Sequence, residues 1–286
     1  MKISVLDEHR CRLGEGPLWD PRDEALYWVD SFGPTLLRHD LGAGKTRSWQ
    51  LPGQTVGSLA PRAAGGLLLA MDQGIYAFDP DSGKAESIVQ PLADRPGLRL
   101  NDGKVDPFGC FVTGAMNIDY RQHVDCSMYL LTADLELRPI LDGFSCFNGP
   151  CFSADGGTLF VTGRDERAIE AFDYGPEQNP RNGRVLLADC NPDGATVDAE
   201  GYLWSAQWDD GCILRIAPDG SIDKRIDFPG QVTSSVMFGG PALDLIFVTT
   251  TSTEVHGVAP TASDPGHVLV VSGSGYRGRP EPLFAG

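Results

Sequence analysis

Two carboxylates and one carboxamide, each set beside glycine or proline, are the residues here whose types best fit a chemical task. They are Glu15 in Gly14-Glu15-Gly16-Pro17, Asn148 in Phe147-Asn148-Gly149-Pro150 and Asp193 in Asn191-Pro192-Asp193-Gly194. All three are hard oxygen donors. Such a set suits calcium, magnesium or manganese better than copper, and three protein ligands leave room for solvent, so zinc and ferrous iron also fit. A cation held this way acts as a Lewis acid toward a carbonyl and acidifies a water molecule. Taken one at a time, each residue reads as a turn former. They become a site only if the fold gathers points spread along most of the chain.

A repeat supplies the means. The apolar runs Leu26–Asp30, Leu67–Ala70, Cys110–Thr113, Leu159–Thr162, Leu203–Ala206 and Ile246–Thr249 recur at a spacing of about 40 to 50 residues, the span of one four-stranded propeller blade. Most follow a turn opened by Asp or Ser, as in Asp20-Pro21-Arg22-Asp23, Asp106-Pro107-Phe108-Gly109, Ser153–Gly157 and Asp198–Gly201. Several continue into a second strand: Gly74–Asp79, Ala168–Asp173 and Cys212–Ala217. Alternation and turn chemistry agree on antiparallel hairpins, with no convincing amphipathic helix. Six repeats fill the chain, so an all-β, six-bladed β-propeller is expected, a single domain over residues 1–286 with a central metal site. A large β-sandwich or β-helix is the competing architecture. Glu15, Asn101 with Asp102, Asn148 and Asp193 each precede a blade's apolar strand, and the mouth of the channel is where they are expected to meet.

Composition narrows the class. The 286 residues carry a formal charge of −16, which disfavours nucleic acid as a partner because a phosphate backbone needs a basic surface. The amino terminus lacks the apolar stretch of a secretion signal, and no run of apolar residues is long enough to cross a membrane. Seven cysteines without paired short spacings imply neither a disulfide framework nor a zinc ribbon, and free thiols in a reducing cytoplasm are expected. The five histidines, His9, His39, His123, His256 and His267, fall in no metal motif and read as solvated surface or loop residues, with His123 within reach of the mouth.

The segments Leu13–Asp20, Leu26–Asp30, Val56–Arg62, Arg99–Pro107, Asn148–Pro150, Pro192–Gly201 and Gly275–Gly278 resemble, in order and at matching spacing, the gluconolactonase family, which includes senescence marker protein (regucalcin) and the luciferin-regenerating enzyme. The resemblance implies a six-bladed propeller with one catalytic divalent metal in its channel, held by Glu15, Asn148 and Asp193. It implies substrate-binding roles for Arg99, Asn101 and Asp119. Departures fall at Gly114-Ala115-Met116, at Asn117–Arg121 and at Thr162-Gly163-Arg164. They leave the metal assignment alone and open the question of substrate.

On this reading the chain is expected to open a lactone, a sugar-acid (aldono)lactone. Asp193 doubles as general base toward the attacking water, while Arg99 and Asn101 orient the ring oxygens and Arg99 meets the developing oxyanion. Trp208, Asp209, Tyr120 and Cys146 are further candidates for the pocket wall. The expected partner is a small-molecule lactone, with no nucleic acid and no membrane, the protein acting in the cytoplasm as a monomer or weak homo-oligomer. Two rivals share the fold: a hydrolase of non-sugar lactones or other esters, and a calcium-binding propeller without turnover.

Overall fold

The computed structural model describes residues 1–119, 124–163 and 167–286. Within them the chain forms six four-stranded antiparallel sheets. The first holds β2 (Gly14–Asp20), β3 (Ala25–Asp30), β4 (Thr35–Asp40) and β5 (Lys45–Gln50). The second holds β6 (Val56–Pro61), β7 (Leu67–Met71), β8 (Gly74–Asp79) and β9 (Lys84–Val89). β10 (Leu98–Val105) to β13 (Leu137–Phe144), β14 (Phe147–Phe152) to β17 (Arg181–Ala188) and β18 (Pro192–Val197) to β21 (Ile222–Asp227) make the next three. In the last, β22 (Thr233–Gly239), β23 (Leu245–Thr250) and β24 (Leu269–Ser272) are joined by β1 (Lys2–Val5) from the other end of the chain. Lys2 pairs with Ser272 and Val5 with Leu269. That pairing closes the ring by joining β1 to the blade of the last three strands, while Phe284 and Ala285 run on to bond Pro61, Ala63 and Gly109 on the second and third blades.

The innermost strands β2, β6, β10, β14, β18 and β22 touch one another in a closed cycle. The protein is therefore the expected six-bladed β-propeller. The apolar runs seen in the sequence are the second strands of the blades, sandwiched between neighbouring blades. Between the first two blades Tyr27, Leu36, Val56, Leu69 and Phe78 pack together; between the last two, Trp204, Val236, Phe238 and Ile246 do. Each such side chain contributes about 1.5–3 kcal/mol by leaving water. The fourth strands β5, β9, β17 and β21 are polar and largely exposed.

Turn chemistry follows the expected rule. Asp106 Oδ1 accepts from the backbone N–H of Phe108 and Cys110 at 2.9 and 2.8 Å, and Asp198 Oδ1 from Glu200 and Tyr202 at 2.9 and 3.0 Å. Each of these turns joins an innermost strand to the second strand. Asp198 also anchors the buried Arg215, whose Nε lies 2.7 Å away and whose guanidinium stacks on Tyr202. All seven cysteines are buried, and no disulfide joins them.

One placement differs from the sequence-based expectation. Glu15, Asn101, Asn148 and Asp193 precede the blades' apolar strands as expected, but from within the innermost strands β2, β10, β14 and β18 rather than from turns. The glycines and prolines beside them read as turns because they break the alternation, but here they form bulges within a continuing ladder. Among the described residues no helix is long and apolar enough to cross a membrane.

Candidate metal and substrate site

Every innermost strand slips register against its neighbour near the same level. The breaks fall between Glu15 and Leu18, Val56 and Ser58, Leu100 and Gly103, Asn148 and Cys151, Pro192 and Ala195, and Thr233 and Ser235. A bulge puts an extra residue into one strand and re-aims the side chains beside it. In four blades that residue step carries Glu15, Asn101, Asn148 or Asp193, so the bulges are what turn these side chains toward a common axis.

Two glycines let the strands come close enough for this. Gly149 has φ +49°, and a Cβ there would lie 2.6 Å from the carbonyl oxygen of Asp193. At Gly194 a Cβ would lie 2.0 Å from Ser235 Oγ. Bare backbone at these points allows β14, β18 and β22 to converge where a propeller is narrowest.

Glu15, Arg99, Asn101, Asn148 and Asp193 are all buried and line one cavity of about 310 Å³, at the small end of typical ligand sites. A polar chain runs through them. Arg99 Nη1 donates to Asn101 Oδ1 at 2.8 Å and to the carbonyl of Leu100 at 3.0 Å. Asn101 Nδ2 then donates to the carbonyl of Phe147 at 2.9 Å and to Asn148 Oδ1. The arginine thereby sets the orientation of the Asn101 amide, and that amide holds the Asn148 oxygen in place. Below this layer Asp102 accepts from the N–H of Gly149 at 2.8 Å.

The charges are badly matched without a further group. Burial, then the negative charges of Asp193 and Asp102, hold the Glu15 carboxyl well above the usual carboxylate range, against the opposing pull of Arg99 and the Gly16 N–H. Burial likewise raises Asp102 and lowers Arg99. Glu15 Oε2 is buried with no hydrogen-bond partner among the described residues. A buried acceptor left unsatisfied costs about 1–3 kcal/mol, and more when charged. A divalent cation between Glu15, Asp193 and the Asn148 oxygen would satisfy that atom and cancel the repulsion, so the donor set fits such an ion. Among the described residues no three His, Cys, Asp or Glu side chains are placed to hold a metal ion by themselves; the third donor of this set is an amide. Two carboxylates with an amide favour a hard cation.

Cys146, Trp208 and Asp209 also line the cavity. Asp119 does not. It is half-buried on the bend after β11 (Phe111–Asn117), its N–H donating to Asn117 Oδ1 at 3.2 Å, outside the cavity lining. Tyr120, Arg121, His123 and Arg164 lie outside the described residues.

Two wall residues were missed from the sequence. His256 was expected to be solvated, yet it lines the cavity. It sits at the tip of a two-residue hairpin between Val255 and Val258, where His256 and Gly257 have φ of +53° and +79°. The His-Gly step between valines is a hairpin signal legible in retrospect. Arg167, on the connection from β15 (Thr158–Gly163) to β16 (Ala168–Asp173), also lines the cavity and has φ +49°; a single loop arginine carries no sequence signal. The expectation of solvated histidines fails at two more positions. His39 and His267 are buried, His267 Nδ1 donating to the carbonyl of His9 at 3.0 Å.

Comparison with known proteins agrees with this architecture. Residues 13–252 match the model described as the SMP-30/Gluconolactonase/LRE-like region. A pentonolactonase from Haloferax volcanii is 32% identical over 266 residues, spanning 91% of this chain and 88% of that protein. A luciferin-regenerating enzyme structure superposes with a TM-score of 0.92 at 27% identity, covering 99% of this chain and 98% of the other. The structure of a calcium-binding protein, regucalcin, from Agrobacterium tumefaciens gives 0.89 at 27% identity over 98% and 96% of the two chains.

Proposed function

The chain belongs to the SMP-30/gluconolactonase/LRE-like family, and from that premise we propose that it is a metal-dependent hydrolase of sugar lactones. The observation that carries the proposal is the partnerless buried oxygen of Glu15 beside Asp193 and Asn148, in a cavity that also holds the Arg99–Asn101 pair. A purely structural channel would gain nothing by burying two repelling carboxylates. Relatives named as sugar lactonases, the pentonolactonase among them, support the reaction class, and the calcium-binding relative supports calcium as the first ion to try.

Glu15, Asn148 and Asp193 would hold the ion. When bound, a divalent cation supplies Lewis-acid polarisation of the lactone carbonyl and acidifies water. Asp193 accepts the proton of the attacking water as the new C–O bond forms. Arg99, oriented by Asn101, faces the negative charge that develops on the carbonyl oxygen and afterwards pairs with the product carboxylate. Ring opening then releases the alkoxide leaving group, which takes the proton held by Asp193 to become a hydroxyl, and the carboxylic acid formed gives its own proton to solvent to become the carboxylate. Burial of the site strengthens each of these charge interactions, because little water competes there.

The test is a lactonase assay on neutral aldonolactones with chelation and add-back of calcium, magnesium, manganese, zinc and ferrous iron, alongside metal analysis of the purified protein. Turnover should vanish with the chelator and return with one of these ions. Asp193→Ala should abolish turnover and weaken metal binding. Undiminished activity in the chelated protein, or in Asp193→Ala, would remove the basis for the assignment.

A further inference from the structure

Building on the lactonase reading, we propose that Arg167 makes this site selective for lactones that bear a second, anionic group on the carbon chain away from the ring carbonyl. The cavity contains two arginines in opposite circumstances. Arg99 comes from an innermost strand, is buried, and is pinned by Leu100 and Asn101 among the charges of Glu15, Asp102 and Asp193. It belongs to the reacting end.

Arg167 enters from an outer connection and is exposed. Among the described residues its guanidinium has neither a hydrogen-bond nor an ion-pair partner. In a chain with 39 acidic and 23 basic residues, an exposed arginine on a cavity rim without an ion pair among the described residues is out of keeping with its surroundings. Asp209 shares the lining, from the connection between β19 (Leu203–Gln207) and β20 (Cys212–Ile216), and no ion pair joins the two among the described residues. The backbone at Arg167 is left-handed, a conformation a side chain of this size adopts only where the surroundings impose it.

Charge counting points the same way. A divalent ion balances Glu15 and Asp193, and Arg99 balances the carboxylate that hydrolysis creates. Of the described charged residues of the lining that leaves Arg167 and Asp209, which no ion pair joins, so Arg167 is the cation that an anionic group of the ligand would meet. A guanidinium gains little from a neutral hydroxyl already well solvated, whereas its planar fork matches a carboxylate, sulfonate or phosphate through two parallel bonds. Because the ring carbonyl must sit at the innermost strands beside Asp193, the remainder of the substrate projects toward the rim where Arg167 stands. The protein's overall negative field would repel such substrates, so a cationic rim also serves to admit them.

The experiment compares wild type with Arg167→Gln and Arg167→Lys on three lactones differing at the far carbon: gluconolactone (neutral), glucarolactone (carboxylate) and 6-phosphogluconolactone (phosphate). The charged-to-neutral ratio of kcat/KM should fall about 10- to 100-fold in Arg167→Gln, the worth of a charge-assisted bidentate contact, and recover in part in Arg167→Lys. Which anion shows the larger fall identifies the group. Raising the salt concentration should narrow the difference in this ratio between wild type and Arg167→Gln, because it screens the Arg167 attraction that only wild type has. An unchanged ratio overturns the proposal. Calorimetric titration with glucarate, 6-phosphogluconate and gluconate separates the two levels of inference. If no lactone is opened but Arg167→Gln selectively weakens one of the doubly anionic ligands, the anion site stands and the hydrolase reading falls. If lactones are opened with the same ratio in both proteins, the hydrolase stands and the anion site falls.

Discussion

Glu15→Gln tests the central electrostatic claim through stability rather than activity. In the metal-free protein the Glu15 carboxyl is buried, faces Asp193 and Asp102, and leaves Oε2 without a partner. Its folded pKa stands above the ordinary value of 4.5, so the folded state binds the proton more tightly than the unfolded chain. The favourable contribution of the protonated form is therefore complete below pH 4.5 and is lost as pH rises through the elevated folded value. Above that range wild type carries a buried, poorly compensated negative charge. Glutamine keeps the shape and removes the charge, which should stabilise the metal-free protein by about 1–3 kcal/mol at pH 8.

Metal reverses the order. A ligand at one hundred times its dissociation constant stabilises the folded state by about 2.7 kcal/mol, and Glu15→Gln should forfeit most of that. Thermal melts with chelator and with saturating calcium or manganese read both effects. At about 2 °C or slightly more per kcal/mol for a chain of this size, the variant should melt a few degrees above wild type with chelator and below it with metal. The chelator difference should shrink toward zero at pH 4. A variant less stable than wild type at pH 8 without metal, or one that gains as much from metal as wild type does, would refute the reasoning.

Asn101→Ala removes the link between Arg99 and Asn148 and leaves both polar groups short of a partner, at a cost of about 1–3 kcal/mol by denaturant titration, with a loss of kcat larger than the change in KM if Asn148 and Arg99 lose their positions. Gly149→Ala sets a Cβ against the Asp193 carbonyl in a left-handed backbone, so it should destabilise by more than about 1 kcal/mol and weaken metal binding, because the strand carrying Asp193 must move. Asp7 supplies the acid-side test. Burial would raise its pKa, but hydrogen bonds from His39, Thr46 and the His9 N–H outweigh burial and hold it below the ordinary 3.8. Its contribution is present above that value and is lost as pH falls below it, so Asp7→Asn should lower the melting temperature at pH 7 and have a shrinking effect below pH 4.

The blades were legible because Leu26–Asp30 and its five counterparts are sandwiched between neighbours, and burial on both faces leaves a continuous apolar run that composition reveals directly. Turns such as Asp106–Gly109 and Asp198–Gly201 were legible for an equally local reason, since each is closed by its own side chain. The polar triplet Glu15, Asn148 and Asp193 was legible as residue types that an ordinary core excludes. Their setting was not: glycine and proline beside them signal a turn, and only contact with the next blade shows that the backbone bulges and continues as strand. The closing role of Lys2–Val5 depends on Leu269–Ser272, a partner at the far end of the chain. Arg167 and His256 reached the cavity wall unannounced, and Asp119 fell outside its lining, because a loop's direction is decided by what it packs against. Periodicity and turn formation act over a few neighbouring residues and are written in the chain itself. Convergence on an axis acts between residues far apart in sequence, and exists only once the ring has closed.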